Sequence, residues 1–190
     1  FVENKTEDLW LATNQGLYLI DKNGKQKRHL TTLHDGLSSN RISAIVTDSD
    51  GNLWIGTETG IDKLEINQNN NIKITSFISN QRISFLLIDS KDCLWYSSRE
   101  FLFHINRHDL LNNTATPNVI SNVADISAMY SNGNEIWVGT KGYGIFRYFI
   151  SPDSQQYEKE TLWIDKDNEN DLKNTIMAFF EDSYSNIWVG

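Results

Sequence analysis

Cysteine is almost missing from this 190-residue chain: Cys93 stands alone, so no disulfide can form within it. A single thiol is compatible with the cytosol and equally with an exported protein that avoids cysteine. Net basic charge is missing as well. Seventeen Lys and Arg face 25 Asp and Glu, for a net charge of −8. A nucleic-acid binder needs basic surface to displace counterions, and attachment to an anionic membrane needs the same, so both classes are disfavoured. Long apolar runs are absent too; Ile83 to Ile88, with Ser84 inside it, is far too short to span a bilayer. No signal peptide is present, but the chain opens at Phe1 without a methionine, so that absence says nothing about targeting. Signatures of chemistry are equally scarce. There is no Gly-rich phosphate loop, no nucleophile elbow and no Cys/His pair of plausible geometry. His104 and His108 lie four apart in what reads as a strand-to-loop region, with no third ligand, and Cys93 reads as a bystander in a turn.

What the chain has in quantity is aromatic and apolar material, 12% and 39% of residues, enough for an ordinary domain with a core of its own. The aromatics are ordered. Trp10, Trp54, Trp95, Trp137 and Trp188 follow one another at intervals of 44, 41, 42 and 51 residues, each in a similar block such as Asn52-Leu53-Trp54-Ile55-Gly56-Thr57. Trp163 stands outside this register. Upstream, Ile42, Ile83 and Ile176 precede their tryptophan by 12 residues and Ile126 by 11, each opening an alternating strand. Six residues after that isoleucine stand Asp48, Asp89, Asn132 and Asp182. An Asx side chain there can accept from backbone N–H groups of the following turn, so a repeated acid reads as a repeated turn and not as a catalytic group. Downstream, Gly16 and Gly60 lie six residues past their tryptophan and Gly144 seven past, each beginning a third strand; glycine suits a tight turn that needs positive φ. The third repeat departs, with Phe101 in the glycine column. A fourth strand is expected around His29–Leu33, Ile74–Ser79, Asn118–Ser121 and Lys159–Ile164.

Four short strands per unit, a period in the low forties and no amphipathic helix of useful length predict an all-β chain built as β-propeller blades of four antiparallel strands. The chain reads as one domain over residues 1–190, with repeats at about 1–33, 42–79, 83–121, 126–165 and an incomplete 176–190. About four blades of a larger propeller are therefore expected, with open ends through which the chain could self-associate. The tryptophans are expected between adjacent blades, where burying such a ring contributes on the order of 2–3 kcal/mol.

The stretch Ile42-Ser43-Ala44-Ile45-Val46-Thr47-Asp48-Ser49-Asp50-Gly51-Asn52-Leu53-Trp54-Ile55-Gly56-Thr57-Glu58-Thr59-Gly60-Ile61, with Gly36-Leu37-Ser38-Ser39-Asn40 before it, resembles the two-component regulator propeller repeat. Five occurrences in register cover essentially the whole chain, most weakly in the third repeat and in the insertion Tyr157–Asn174. The resemblance implies the periplasmic sensor region of a hybrid two-component system of Bacteroidetes type. In such proteins the propeller precedes a Y-shaped β-domain, a transmembrane helix and a histidine kinase. It further implies carbohydrate sensing, with an oligosaccharide or other small ligand as partner.

In a propeller the loops entering the first strand and those joining the second and third share one face. Here that face carries Arg41, Arg82, Asp125 and Lys173 at the first set, and Glu58, Arg99, Lys141 and Tyr143 at the second. The residues vary while the framework repeats, as expected of a binding surface on a scaffold. Arg41, Glu58, Arg82, Arg99, Lys141 and Tyr143 are the candidate ligand contacts, offering planar polar groups and an aromatic face. No catalytic residue, metal or cofactor is assigned, and the segment reads as a sensor without enzymatic activity of its own. A carbohydrate-active propeller enzyme and a protein-interaction scaffold remain the alternatives.

Overall fold

The computed structural model describes residues 1–4, 7–67, 69–133, 135–150, 157–163 and 172–190. Its strands fall into successive sheets in chain order. The first holds β1 (Val2–Glu3), β2 (Leu9–Thr13), β3 (Gly16–Ile20) and β4 (Gln26–Leu30). The second holds β5 (Ile42–Thr47), β6 (Leu53–Thr57), β7 (Gly60–Ile66) and β8 (Ile72–Ser79). Next come β9 (Phe85–Ile88), β10 (Leu94–Ser98), β11 (Phe101–Ile105) and β12 (Asn118–Asn122). A fourth sheet comprises β13 (Ile126–Asn132), β14 (Glu135–Thr140), β15 (Ile145–Ile150) and β16 (Tyr157–Leu162). The last pairs β17 (Phe179–Glu181) with β18 (Ile187–Val189). Every sheet is an antiparallel meander in sequence order. The first strands β1, β5, β9, β13 and β17 contact one another from sheet to sheet, so they form the inner layer of consecutive β-propeller blades.

The core lies between blades. Trp10 packs with Leu53, Ile55 and Leu64 of the second blade, Trp54 with Leu94, Tyr96 and Ile105 of the third, and Trp95 with Ile136, Val138 and Tyr148 of the fourth. A flat sheet can bury both faces only against its neighbours, so each tryptophan seals one interface. Trp10, Trp54 and Trp95 are fully buried, Trp137 is half-buried, and Trp188 is 60% exposed.

Small residues let the blades close. A Cβ at position 56 would sit 2.8 Å from Ile83 Cγ2, and one at 139 would sit 2.6 Å from Ile176 Cγ2. The same isoleucines tie the blades through the backbone: Ile83 N–H donates to the Thr57 carbonyl and Ile176 N–H to that of Thr140, each at 2.9 Å.

Some elements differ from expectation. In the third and fifth sheets the first strands begin at Phe85 and Phe179, so Ile83 and Ile176 do not open them but are buried residues of the entering loops. The strand β4 runs three residues earlier than expected. A tight turn starts it there: Asp21 Oδ1 accepts from the N–H groups of Asn23 and Lys25 at 2.9 Å, and Gly24 takes φ of 81°. Unforeseen altogether is the short helix α1 (Arg107–Leu111), which contains His108 and is capped by Asn106 Oδ1 accepting from Asp109 N–H at 2.9 Å. His104 lies instead on β11. Positive φ explains Gly16 and Gly144 but not Gly60, where close approach of β8 is the reason for glycine. Residues 164–171, including Ile164 and the middle of the expected insertion, lie outside the described residues. No helix among the described residues is long and apolar enough to cross a membrane.

Candidate functional site

The Asp column lies on one face of the blades, as a framework device. Asp48 Oδ1 accepts from Asn52 N–H at 2.8 Å, while its Oδ2 accepts from the Trp54 indole N–H at 2.9 Å. Asp89 does the same with Cys93 N–H and Trp95 Nε1–H, and Asp182 with Asn186 N–H and Trp188 Nε1–H. The six-residue spacing thus clamps the turn with one oxygen and orients the buried indole with the other. In the fourth blade Trp137 Nε1–H donates to Glu135 Oε2 at 3.2 Å instead. Hydrogen bonds from Asn186 and Trp188 hold the Asp182 carboxyl down at about 2.

Asp89, Cys93 and His104 form a buried group whose ligand atoms lie within 4.8 Å of one another. Each is already engaged: Asp89 accepts from Lys91, Cys93 and Trp95, and His104 Nε2 pairs with the Tyr157 hydroxyl at 2.8 Å. Burial and the Asp89 charge push the Cys93 thiol up. The group serves as packing between the third and fourth blades. Burial lowers the His104 pKa from its ordinary 6.5, against the weaker pull of Asp89. The unfolded chain therefore binds a proton that the folded chain refuses. Stability is full above about pH 6.5 and declines as pH falls below it. Denaturant titrations at pH 7.5 and 5.5 are expected to show this loss, and His104→Gln is expected to shrink it; an unchanged pH dependence in the variant would refute the assignment.

On the opposite face, the turns between second and third strands are built by buried threonines. Thr57 Oγ1 donates to the Gly60 carbonyl and accepts from Gly60 N–H, both at 3.0 Å; Thr140 Oγ1 donates to Gly144 at 2.8 Å and accepts from Tyr143 N–H. These turns place Glu58, Lys141 and Tyr143. Arg99, in the third blade, has φ of 54° in a turn without the threonine–glycine device, so it projects differently. The first strands carry a second device. The pairing of β5 with β6 and of β13 with β14 shifts at Ser43 and at Ser127, leaving each serine bulged. Ser43 Oγ donates to the Ile83 carbonyl at 2.6 Å and Ser127 Oγ to that of Ile176, so each reaches the next blade.

A cavity of about 670 Å³ opens here, lined by residues of all five sheets or their loops. It brings together four of the six candidate contacts: Arg41, Glu58, Arg82 and Lys141. Arg99 and Tyr143, and also Asp125, are outside its lining. Asn14, Ser43, Ser84 and Ser127 add polar groups, and Ile42, Ile83, Phe85, Ile126 and Met177 an apolar surface. The Ile-Ser pair recurs at 42–43, 83–84 and 126–127, a signal from which the serines could have been found. Asp62 is a further missed residue. It is buried on β7, its Oδ2 accepts from Ser38 N–H at 2.8 Å, and burial raises its pKa. It holds the Gly36–Asn40 approach against the second blade.

A second cavity, about 680 Å³, lies between the first two blades on the Asp-column face. Its cations are occupied: Lys27 by Asp8 at 2.8 Å, and Arg28 by the Asn70 carbonyl at 2.8 Å. It is lined largely by framework residues, including Trp10, Leu19, Asp48 and Gly51. The five-sheet cavity is therefore the candidate site.

Residues 36–59 match the two-component regulator propeller family, so the chain carries this repeat. No curated protein matches the chain. Among solved structures, the extracellular domain of BT4673 from B. thetaiotaomicron, described as a one component or hybrid two component system, is similar at a TM-score of 0.74. It shares 23% identity, over 96% of this chain and 24% of that one. The extracellular domain of the hybrid two component system BT3049 from the same organism aligns at 0.73 with 19% identity, over 100% of this chain and 25% of that one. Virginiamycin B lyase from Staphylococcus aureus aligns at 0.67 with 14% identity, over 99% and 61%. The chain thus spans about a quarter of the two extracellular domains it matches. At these identities the likeness carries the β-propeller fold.

Proposed function

We propose that this chain is a ligand-binding propeller segment of an extracytoplasmic sensor in a two-component signalling system, and that its ligand is an oligosaccharide. The observation that carries the reading is the five-sheet cavity, which gathers charged loop residues of three blades: Arg41 and Arg82 before the first strands of the second and third, and Glu58 and Lys141, opposite in charge at one repeat position, from the second and fourth. A site of this size, lined by both polar and apolar side chains, suits a small ligand. The family of the repeat, and the extracellular placement of BT4673 and BT3049, support a periplasmic segment of a membrane-anchored parent with kinase activity elsewhere.

The lyase is a reason to weigh catalysis. Glycoside hydrolysis needs two carboxylates flanking one bond. Among the described lining residues Glu58 is the one carboxylate, and it faces Arg41 at 3.4 Å. That supports binding over turnover. Titration calorimetry of the complete propeller against an oligosaccharide panel, with product analysis of each mixture, decides the matter. Saturable binding without product is expected. Product formation would replace the sensor with an enzyme, and self-association without binding would favour a scaffold.

A further inference from the structure

Resting on that reading, we propose that the five-sheet cavity selects an anionic ligand: a saccharide bearing carboxylate or sulfate groups. The chain as a whole carries a charge of −8, so its average surface repels anions. The cavity inverts this sign, with Arg41, Arg82 and Lys141 set against the single carboxylate of Glu58.

The cations elsewhere show why this matters. Lys27 pairs with Asp8, Arg107 with Asp50 and Asp92, and Arg147 with Glu135 and Glu160. Several framework cations thus come with their counter-charge. In the cavity, Arg41 meets both Glu58 oxygens at 3.4 Å. Arg41 is largely solvent-exposed, so that pair contributes little and can exchange for a ligand anion. The side chains of Arg82 and Lys141 have no hydrogen-bond or ion-pair partner among the described residues.

The two free cations come from different blades. Arg82 lies in the loop entering β9, where Ile83 N–H is fixed on the Thr57 carbonyl. Lys141 begins the turn whose Thr140 hydroxyl is tied to Gly144. Both backbones are held, so two positive charges flank one opening without a folding role to account for them. A guanidinium fork matches a carboxylate or sulfate bidentately, while an ammonium serves as a mobile point charge. Asn14 and Ser84, both exposed in the lining, can meet sugar hydroxyls, and Phe85 supplies an aromatic surface for a pyranose ring.

The test is calorimetry of the complete propeller with three tetrasaccharides: tetragalacturonate for carboxylate, a chondroitin sulfate tetrasaccharide for sulfate ester, and neutral maltotetraose. At least one acidic chain is expected to bind tenfold or more tighter than the neutral one, weakening as salt is raised. The double variant Arg82→Gln, Lys141→Gln is expected to lose at least tenfold of that affinity while its thermal midpoint stays unchanged. The variants sit at exposed positions, which makes folding failure a poor explanation of any loss. Neutral and acidic chains binding equally, or acidic binding that the double variant leaves intact, would overturn anion selection and leave the sensor reading standing. Binding of inorganic sulfate with no saccharide bound would overturn both.

Discussion

Trp54→Ala is expected to lower stability by about 3–5 kcal/mol, the range for deleting a fully buried large aromatic. The ring is 0% exposed and lies between the second and third blades. It meets Phe77 edge-on at a centroid distance of 4.9 Å, and Lys63 Nζ lies 5.5 Å from its centroid. Removal therefore opens an interface and not merely a pocket. It also leaves Asp48 Oδ2 without its indole partner, although Asn52 still donates to that carboxylate. Trp54→Phe is the internal control: it keeps a large aromatic ring in the interface but removes the N–H that meets Asp48 Oδ2 at 2.9 Å. It is expected to cost about 1–2 kcal/mol, the range of a lost hydrogen bond. Urea unfolding of the two variants separates burial from hydrogen bonding. Equal losses would mean that the Asp–Trp bond, and not the buried ring, carries the stabilisation.

Gly60→Ala is the second large effect. Position 60 begins β7 opposite Ser79 of β8, and a Cβ there would fall inside the carbonyl of Ile78. That obstacle is backbone, so no rotamer change relieves it and β8 must move away from β7. The expected cost is about 3 kcal/mol, at the upper end for overpacking. Gly51→Ala tests the alternative that glycine is needed for its torsion angle. Gly51 has φ of 89° with nothing within 4 Å of its missing Cβ, so only strain of about 1 kcal/mol is expected. Should the two alanine variants lose the same stability in urea titrations, close strand approach is not the reason for glycine at position 60.

Much of this architecture was legible from spacing. The tryptophan and aspartate columns recur because each blade repeats one solution to one packing problem, and their six-residue offset is the length of the turn that the aspartate clamps. The strand starts at Ile42 and Ile126 were equally readable, since a strand alternates and its buried face must be apolar. The third and fifth blades were harder. Ile83 and Ile176 sit in the same column but outside the strands, because their N–H groups are taken by Thr57 and Thr140 of the preceding blades. Helix α1 was hidden in a connection: five residues carry too little periodicity to be seen, and its stability comes from the Asn106 cap and from Leu110 buried against the second and third blades.

The candidate site divides in the same way. From the sequence alone came the repeat, the all-β propeller blades and the list of loop residues that escape the pattern, since these follow from periodicity and from strand alternation within one blade. Which of those residues meet was decided by tertiary structure. Arg41, Glu58, Arg82 and Lys141 line one cavity, while Arg99 and Tyr143 do not. The difference arises between blades. The bulges at Ser43 and Ser127, the close seats at Gly56 and Gly139, and the isoleucine hydrogen bonds all act across an interface, and together they position each blade's loops against its neighbour's. A period along the chain records what every blade shares, but the distance between two loops 40 or more residues apart depends on how whole sheets pack.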